Sequence, residues 1–286
     1  MLNPKISIIQ GIYNCAETLS ESIDSIITQT YDNWELIMCD DGSADNTYEV
    51  ALEYKNKYPD KIVLIKNEKN MGLNYTLNRC LEAAKGEYIA RIDGDDISLP
   101  TRFEKEINFL INNPQFALVS TPMIMFDENG EWGKTTVIEY PQKNDFCKHT
   151  PFFAHAACMM KKSVFDEVGG YTVDPKFLRV EDCNLWFKVY AHGYKGANLT
   201  EPLYMMRDDR NATHRRSIKA RINSCYVLYH GFRMLRMPWY KYIYVIRNAM
   251  IEIIKGLIPM RFYEYIHRKR IGNNCKVRLL RVYTQQ

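Results

Sequence analysis

The sequence has no CxxC pair and no Cys/His grouping at zinc spacing; its eight cysteines (15, 39, 80, 147, 158, 183, 225 and 275) lie singly along the chain. That excludes a zinc ribbon and a disulfide-stapled miniprotein, and it points to free, buried thiols in a reducing compartment. No run approaches the ~18 uninterrupted apolar residues of a membrane span. The best candidate, Tyr240 to Met260, is broken by Lys241, Arg247, Glu252 and Lys255. The opening residues lack a basic segment followed by a long apolar core and a small-residue cleavage site, so no signal peptide is expected. Internal repeats and low-complexity linkers are absent as well. What is present is ordinary in bulk: 286 residues, 46% hydrophobic and 25% charged. Such a chain can bury a sizeable core and is neither disordered nor collagen-like.

The charge is unevenly placed. Residues 206–286 hold 18 of the 38 basic residues but only 4 of the 34 acidic ones, although the whole chain is only +4. This asymmetry predicts two surfaces with different partners and a division into residues 1–205 and a basic extension, 206–286.

Over the first hundred residues two periods alternate. Ile6-Ser-Ile-Ile9, Glu35-Leu-Ile-Met-Cys39, Ile62-Val-Leu-Ile65 and Tyr88-Ile-Ala-Arg-Ile92 are apolar runs of strand length. Between them, Leu19, Ile23, Ile26 and Ile27 share one helical face, as do Leu77, Leu81 and Ala84. Strict alternation of this kind implies an α/β fold, with a mostly parallel sheet flanked by helices. Further helices are expected over Thr101–Asn112 and Glu181–Ala191, strands over Phe116–Ser120 and Cys158–Lys161, and a hairpin or irregular excursion over Phe126–Lys148.

In an open α/β sheet, ligands bind beyond the carboxyl ends of the strands. There the sequence places Gly11-Ile-Tyr13-Asn14 after the first strand, Asp40-Asp41-Gly42-Ser43 after the second and Asp93-Gly94-Asp95-Asp96 after the fourth. Three carboxylates within four positions repel one another unless something neutralises them. Mg²⁺ or Mn²⁺ does so with one or two carboxylates, leaving positions for substrate phosphates and water. A solvated turn has the same composition.

Taken together and in order, Ile8-Ile-Gln-Gly-Ile-Tyr-Asn14, Trp34-Glu-Leu-Ile-Met-Cys-Asp-Asp-Gly-Ser-Ala-Asp-Asn-Thr47, Asn70-Met-Gly-Leu-Asn-Tyr-Thr-Leu-Asn78, Gly86-Glu-Tyr-Ile-Ala-Arg-Ile-Asp-Gly-Asp-Asp96 with Pro100 and Arg102, and Glu181-Asp182 before Leu185-Trp186 resemble the family 2 glycosyltransferases of GT-A (Rossmann-like) fold. The likeness covers about residues 5 to 210 and is strongest to bacterial exopolysaccharide and capsule enzymes of the EpsE type. It implies a nucleotide-sugar half over about residues 1–100, an acceptor half over about 101–205, and the basic helical extension after them. It further implies that Tyr13 stacks on the nucleobase, Gly11 and Asn14 line its pocket, and Asp40 accepts from the base imide of a UDP-sugar. Asp93 lies near ribose and donor sugar, Asp95 ligates Mn²⁺ or Mg²⁺, and Asp182 is the base that deprotonates the acceptor, giving inversion.

The remaining candidates carry two readings each. Glu181 and Asp182 also suit a helix N-terminus, where the dipole favours acids. His155 and Trp186 are acceptor-side candidates that equally describe core residues. The resemblance implies a segment here that folds over the donor diphosphate, which makes Arg207 and Arg210, with His214-Arg-Arg216 beyond them, candidates for it, and paired guanidinium donors match phosphate oxygens. From Arg221 onward, aromatic and aliphatic residues mix with Arg and Lys, through Trp239 to Arg268-Lys-Arg270. Such helices either lie on an anionic membrane surface or pack as a subdomain. No nucleic-acid reader motif accompanies the charge.

The reading is therefore a metal-dependent inverting transferase, cytoplasmic and peripheral at the inner face of the membrane, acting on a lipid-linked or saccharide acceptor in exopolysaccharide, capsule or O-antigen assembly. The competing readings are an interaction protein that docks a partner through its basic surface, and a sugar nucleotidyltransferase. The latter needs a Gly-rich phosphate loop, which Gly11-Ile-Tyr-Asn14 is not.

Overall fold

A computed structural model describes residues 3–148, 152–208 and 218–257. Strands β1 (Ile6–Ile12) and β2 (Trp34–Asp40) are buried along both faces, which is why their sequences read as apolar runs rather than alternating ones. They lie in a seven-stranded sheet with β3 (Ile62–Lys66), β4 (Tyr88–Arg91), β6 (Leu118–Ser120), β9 (Cys158–Lys161) and β10 (Gly196–Asn198). The order is β10-β6-β9-β4-β1-β2-β3. All neighbours run parallel except β9, which is antiparallel to both β4 and β6.

Helices cover both faces: α1 (Ala16–Ile27), α2 (Thr47–Lys57) and α4 (Arg102–Asn112) on one, α3 (Leu73–Ala83), α5 (Lys162–Val168) and α6 (Glu181–Ala191) on the other. The period-2 alternation of a strand divides the core accordingly. Ile8, Leu36 and Met38 join one apolar cluster, and Ile9, Ile37 and Cys39 the other. A second, four-stranded sheet contains β5 (Ile97–Ser98), β7 (Met123–Asp127), β8 (Gly130–Lys134) and β11 (Tyr204–Arg207), ordered β5-β11-β7-β8. The segment after Phe126 is thus a β7–β8 hairpin followed by a short 3₁₀ turn, Lys143–Cys147.

Arg102, from the first turn of α4, is fully buried where the two sheets meet. It donates to Ser98 Oγ (3.1 Å), to the main-chain oxygens of Arg91 (3.0 Å) and Cys158 (3.3 Å), and to Glu106 (3.2 Å). Burial pushes the Glu106 carboxyl up to about 7 against the opposing pull of Arg102. This network fixes the end of β4, from which the acidic turn departs.

After residue 217 the chain forms α7 (Ile218–Met234) and α8 (Ile243–Leu257). Val227, Leu228 and Phe232 of α7 share the apolar cluster that holds Phe177 and Phe187. Gly231 makes the close approach possible, since a Cβ there would fall 2.3 Å from the Phe187 ring. Strand β11 spans the expected division at 205/206, so the second sheet draws on both sides of it. No helix among the described residues is long and apolar enough to cross a membrane. Of the described cysteines, all are free.

Candidate active site

The carboxyl ends of β1, β2 and β4 lie side by side in the sheet, and their three polar loops meet there. Asn14, held at φ 48°, is stitched to the loop after β2. Its N–H donates to Ser43 Oγ (3.0 Å), and its Oδ1 accepts from the Ala44 N–H (2.9 Å). Gly42, at φ 72°, is needed beside it because a Cβ would collide with the Lys69 backbone at 2.8 Å.

A cavity of about 450 Å³ opens at this edge. Gly11 lines it from β1, the half-exposed Tyr13 from the loop just after, Asp41 from the loop after β2, Asn74 from α3, and Glu181 from α6. Helix α7 completes the wall with Lys219, Ala220 and Asn223. Asp41 is fastened rather than open: it accepts from Asn67 Nδ2 (2.7 Å) and from the N–H groups of Met71 (2.8 Å) and Gly72 (2.9 Å). Asp40, one residue earlier, is fully buried, accepts the Ser43 N–H, and does not line the cavity.

The three carboxylates of the acidic turn have separate fates. Asp93 pairs with Arg91, Nη2 to Oδ1 at 2.5 Å, while its main-chain oxygen accepts from Ser22 Oγ (2.9 Å). Asp96 is buried and accepts from Tyr204 Oη (2.8 Å) and the Arg207 N–H (2.8 Å). Burial, with Asp93 and Asp95 nearby, pushes its carboxyl well above the usual range. Asp95 stands half-buried at the tip. Gly94 lets the turn settle against α1, since a Cβ would sit 2.8 Å from Cys15 Sγ. Among the described residues no three His, Cys, Asp or Glu side chains converge into a cage for an ion.

At the head of α6, Glu181 and Asp182 are both half-buried. Burial raises both carboxyls, Glu181 further through Asp182, while the Arg91 charge offsets part of each rise. Asp182 Oδ1 also accepts the Cys183 N–H at 2.7 Å.

Other sequence candidates lie elsewhere. Trp186 is fully buried, edge-on to Phe153 and His155, so it presents no ring face to a sugar; its position four residues after Asp182 puts it on the inward side of α6. His155 bonds the Tyr171 hydroxyl at 2.8 Å and is held neutral by burial and the nearby Arg91 charge. Arg207 turns toward α1 and β7: it pairs with Glu21, donates to the Asp95 main-chain oxygen (3.0 Å) and covers the Phe126 ring. Arg210 and His214-Arg-Arg216 lie outside the described residues, as do Arg268-Lys-Arg270. Lys219, Ala220 and Asn223 are not among the sequence candidates, because α7 reaches the cavity through its packing on α6 and on the loop at Pro175–Leu178.

The sequence profile described as glycosyl transferase family 2 matches residues 7–169. EpsE of Bacillus subtilis (strain 168), a protein named as a glycosyltransferase, is 41% identical over 94% of this chain and 95% of its own. An Escherichia coli protein named UDP-Gal:alpha-D-GlcNAc-diphosphoundecaprenol beta-1,3-galactosyltransferase is 30% identical over 94% of this chain and 97% of its own. In three dimensions, the mannosyltransferase PcManGT from Pyrobaculum calidifontis, solved with GDP-Man and Mn²⁺, superposes with a TM-score of 0.64 at 17% identity, covering 96% of this chain and 84% of that one. The sheet order, the match over more than half the chain and these relatives agree: the chain belongs to glycosyl transferase family 2, and it is a glycosyltransferase of GT-A fold.

Proposed function

We propose that the protein transfers a sugar, with inversion, from a nucleotide diphosphate donor, UDP-linked, to a lipid-linked acceptor in the assembly of a bacterial surface polysaccharide. The observation that carries this reading is the cavity itself: it joins the exposed Tyr13 ring, just after β1, to Glu181 at the head of α6, whose neighbour in the chain is Asp182. UDP and a diphosphate-lipid acceptor appear in the name of the Escherichia coli relative.

Tyr13 offers its face to the base, with Gly11 and Asn14 shaping the loop around it. Asp93, steadied by Arg91, stands beside the ribose and donor sugar. The donor set at Asp95 fits a hard cation: carboxylate oxygen is what Mg²⁺ or Mn²⁺ prefers, and a single side chain leaves room for phosphate and water. When bound, such an ion neutralises the charge that develops on the departing diphosphate. Asp182 takes the proton from the attacking hydroxyl, and its raised carboxyl is better matched to that task than an ordinary one.

Membrane association is supported by α8. Ile243, Ile246, Met250 and Ile253 recur along one face of the helix and are each more than half exposed, and Trp239 just before them is 85% exposed. Beside the stripe Arg247 donates to the Cys147 main-chain oxygen (3.0 Å), and on the far side Glu252 pairs with Arg221 of α7 (3.3 Å). An apolar stripe on a helix preceded in the chain by Arg233, Arg236 and Lys241 suits the headgroup region of an anionic bilayer.

Two measurements test the proposal. Screening a panel of nucleotide sugars by equilibrium binding, with and without Mn²⁺, is expected to select a uridine donor and to show tighter binding with the ion; binding indifferent to Mn²⁺ and to the base refutes it. Co-sedimentation with phosphatidylglycerol vesicles is expected to fall about tenfold in Ile246→Asp/Met250→Asp, since each charge removes apolar burial worth a residue's transfer. Unchanged sedimentation removes α8 as the contact.

A further inference from the structure

The cavity has a cationic side that the assignments above leave unused. Arg179 and Lys219 both line it, one from the loop before α6 and the other from the first turn of α7. Both side chains reach solvent, and among the described residues neither forms a salt bridge with a carboxylate. Glu181 lies within reach of the Arg179 charge but does not pair with it.

Their placement is built into the fold. Asn223, 5% exposed, sits one helical turn after Lys219 on the same face of α7. Its Nδ2 donates to the main-chain oxygens of Pro175 and Leu178, both at 3.0 Å. Phe177, buried between them, stacks its edge toward Tyr226 and His230 of α7. One asparagine thereby ties the loop that carries Arg179 to the helix that carries Lys219. Arg179 itself has φ 66°, a conformation that costs a non-glycine residue energy and persists where its surroundings impose it.

We propose that Arg179 and Lys219 form a two-cation clamp for the diphosphate of the acceptor. This rests on the reading of the protein as a transferase to a lipid-linked acceptor and adds the residues that would recognise it. Two cations that no described carboxylate neutralises by a salt bridge suit an anion of about two charges, and an arginine fork beside a lysine suits phosphoryl oxygens. The donor's diphosphate has its own place at Asp95, which is not among the residues lining this cavity; its turn packs toward α1 and β11. Arg179, by contrast, lies three residues before Asp182, the group that must reach the acceptor hydroxyl. Helix α7, which supplies Lys219, also packs against α8, whose apolar stripe is where a lipid chain would lie.

The test uses full-length protein, with geranyl diphosphate as the anionic probe and geraniol as its uncharged counterpart, both read by equilibrium binding so that the donor sugar need not be known. Wild-type protein is expected to prefer the diphosphate. Arg179→Gln and Lys219→Gln are each expected to weaken geranyl diphosphate about tenfold, and the double variant further, as loss of a charge-assisted contact predicts. Geraniol binding and UDP affinity in the presence of Mn²⁺ should stay within about twofold. An unchanged affinity for geranyl diphosphate overturns the clamp, as does an equal loss for geraniol, which marks a structural effect. UDP affinity that falls in step moves the pair to the donor and also overturns it. Failure of the transferase reading looks different: UDP then fails to bind the wild-type protein at all, whatever happens at Arg179.

Discussion

Asp95→Ala is expected to lower transfer by about 10³-fold or more while leaving the folded structure and its thermal transition in place. The reason lies in how the acidic turn is divided. Asp93 is committed to Arg91 and Asp96 to Tyr204 and the Arg207 N–H, so neither can move to replace a lost carboxylate without abandoning a buried partner. On the proposed reading an ion held by Asp95 would supply several kcal/mol of charge stabilisation to the departing diphosphate, and each 1.4 kcal/mol is a factor of ten in rate. Asp95 belongs to neither apolar cluster, so the substitution leaves the core packing in place. Turnover under saturating UDP-sugar and Mn²⁺ checks this, with circular dichroism as the control for folding. Activity near wild type would show that the turn serves only to shape the loop. Asp96→Ala makes an instructive comparison: it strips Tyr204 and Arg207 of their acceptor and should lower stability as well as rate, which separates a ligand from a scaffold.

Much of this arrangement could be read from the sequence, and the gaps have physical causes. Strands β1, β2 and β4 announced themselves because a parallel strand buried on both faces is apolar throughout, and Gly42 and Gly94 marked the tight turns that follow. Asp40 is named on the resemblance, and where it and Asp41 come to lie depends on how the loop after β2 packs. Asp40, the last residue of β2, is fully buried, whereas Asp41 just beyond it borders the cavity and is tied to Asn67, Met71 and Gly72. Arg207 is a candidate for the donor diphosphate on the resemblance, and in the structure it pairs with Glu21, far away in the chain. No local pattern signals such a partner. Trp186 was ambiguous until the helix was placed, because an apolar aromatic at helical spacing marks a core face and a sugar platform alike. The wall formed by α7 depends on Asn223 meeting the loop at Pro175 and Leu178, a contact between segments that only the packed structure brings together. The basic character of the extension was legible, but not that its first helix would be divided between the core and the cavity.

Asp182→Asn is expected to keep donor binding and lose about 10²–10⁴-fold in turnover, the usual worth of a positioned base. Asparagine matches the shape of aspartate and can still meet the Cys183 N–H with its Oδ1, so the head of α6 should hold. What it cannot do is accept a proton. The pH dependence gives the sign of the argument independently. A base works only when ionised, so activity rises as pH passes upward through its pKa. Burial has raised the Asp182 carboxyl above the ordinary range, with Arg91 holding back part of the rise. The acidic limb of kcat/KM should therefore lie at a higher pH than a solvent-exposed aspartate would give, and it should move higher still in Arg91→Met, where the compensating charge is gone. Arg91→Lys, which retains the charge, should restore part of the shift. A limb that stays put in Arg91→Met, or one that survives unchanged in Asp182→Asn, would assign the proton transfer to another group, and Glu181, which lines the cavity at the head of α6, would be the next to replace.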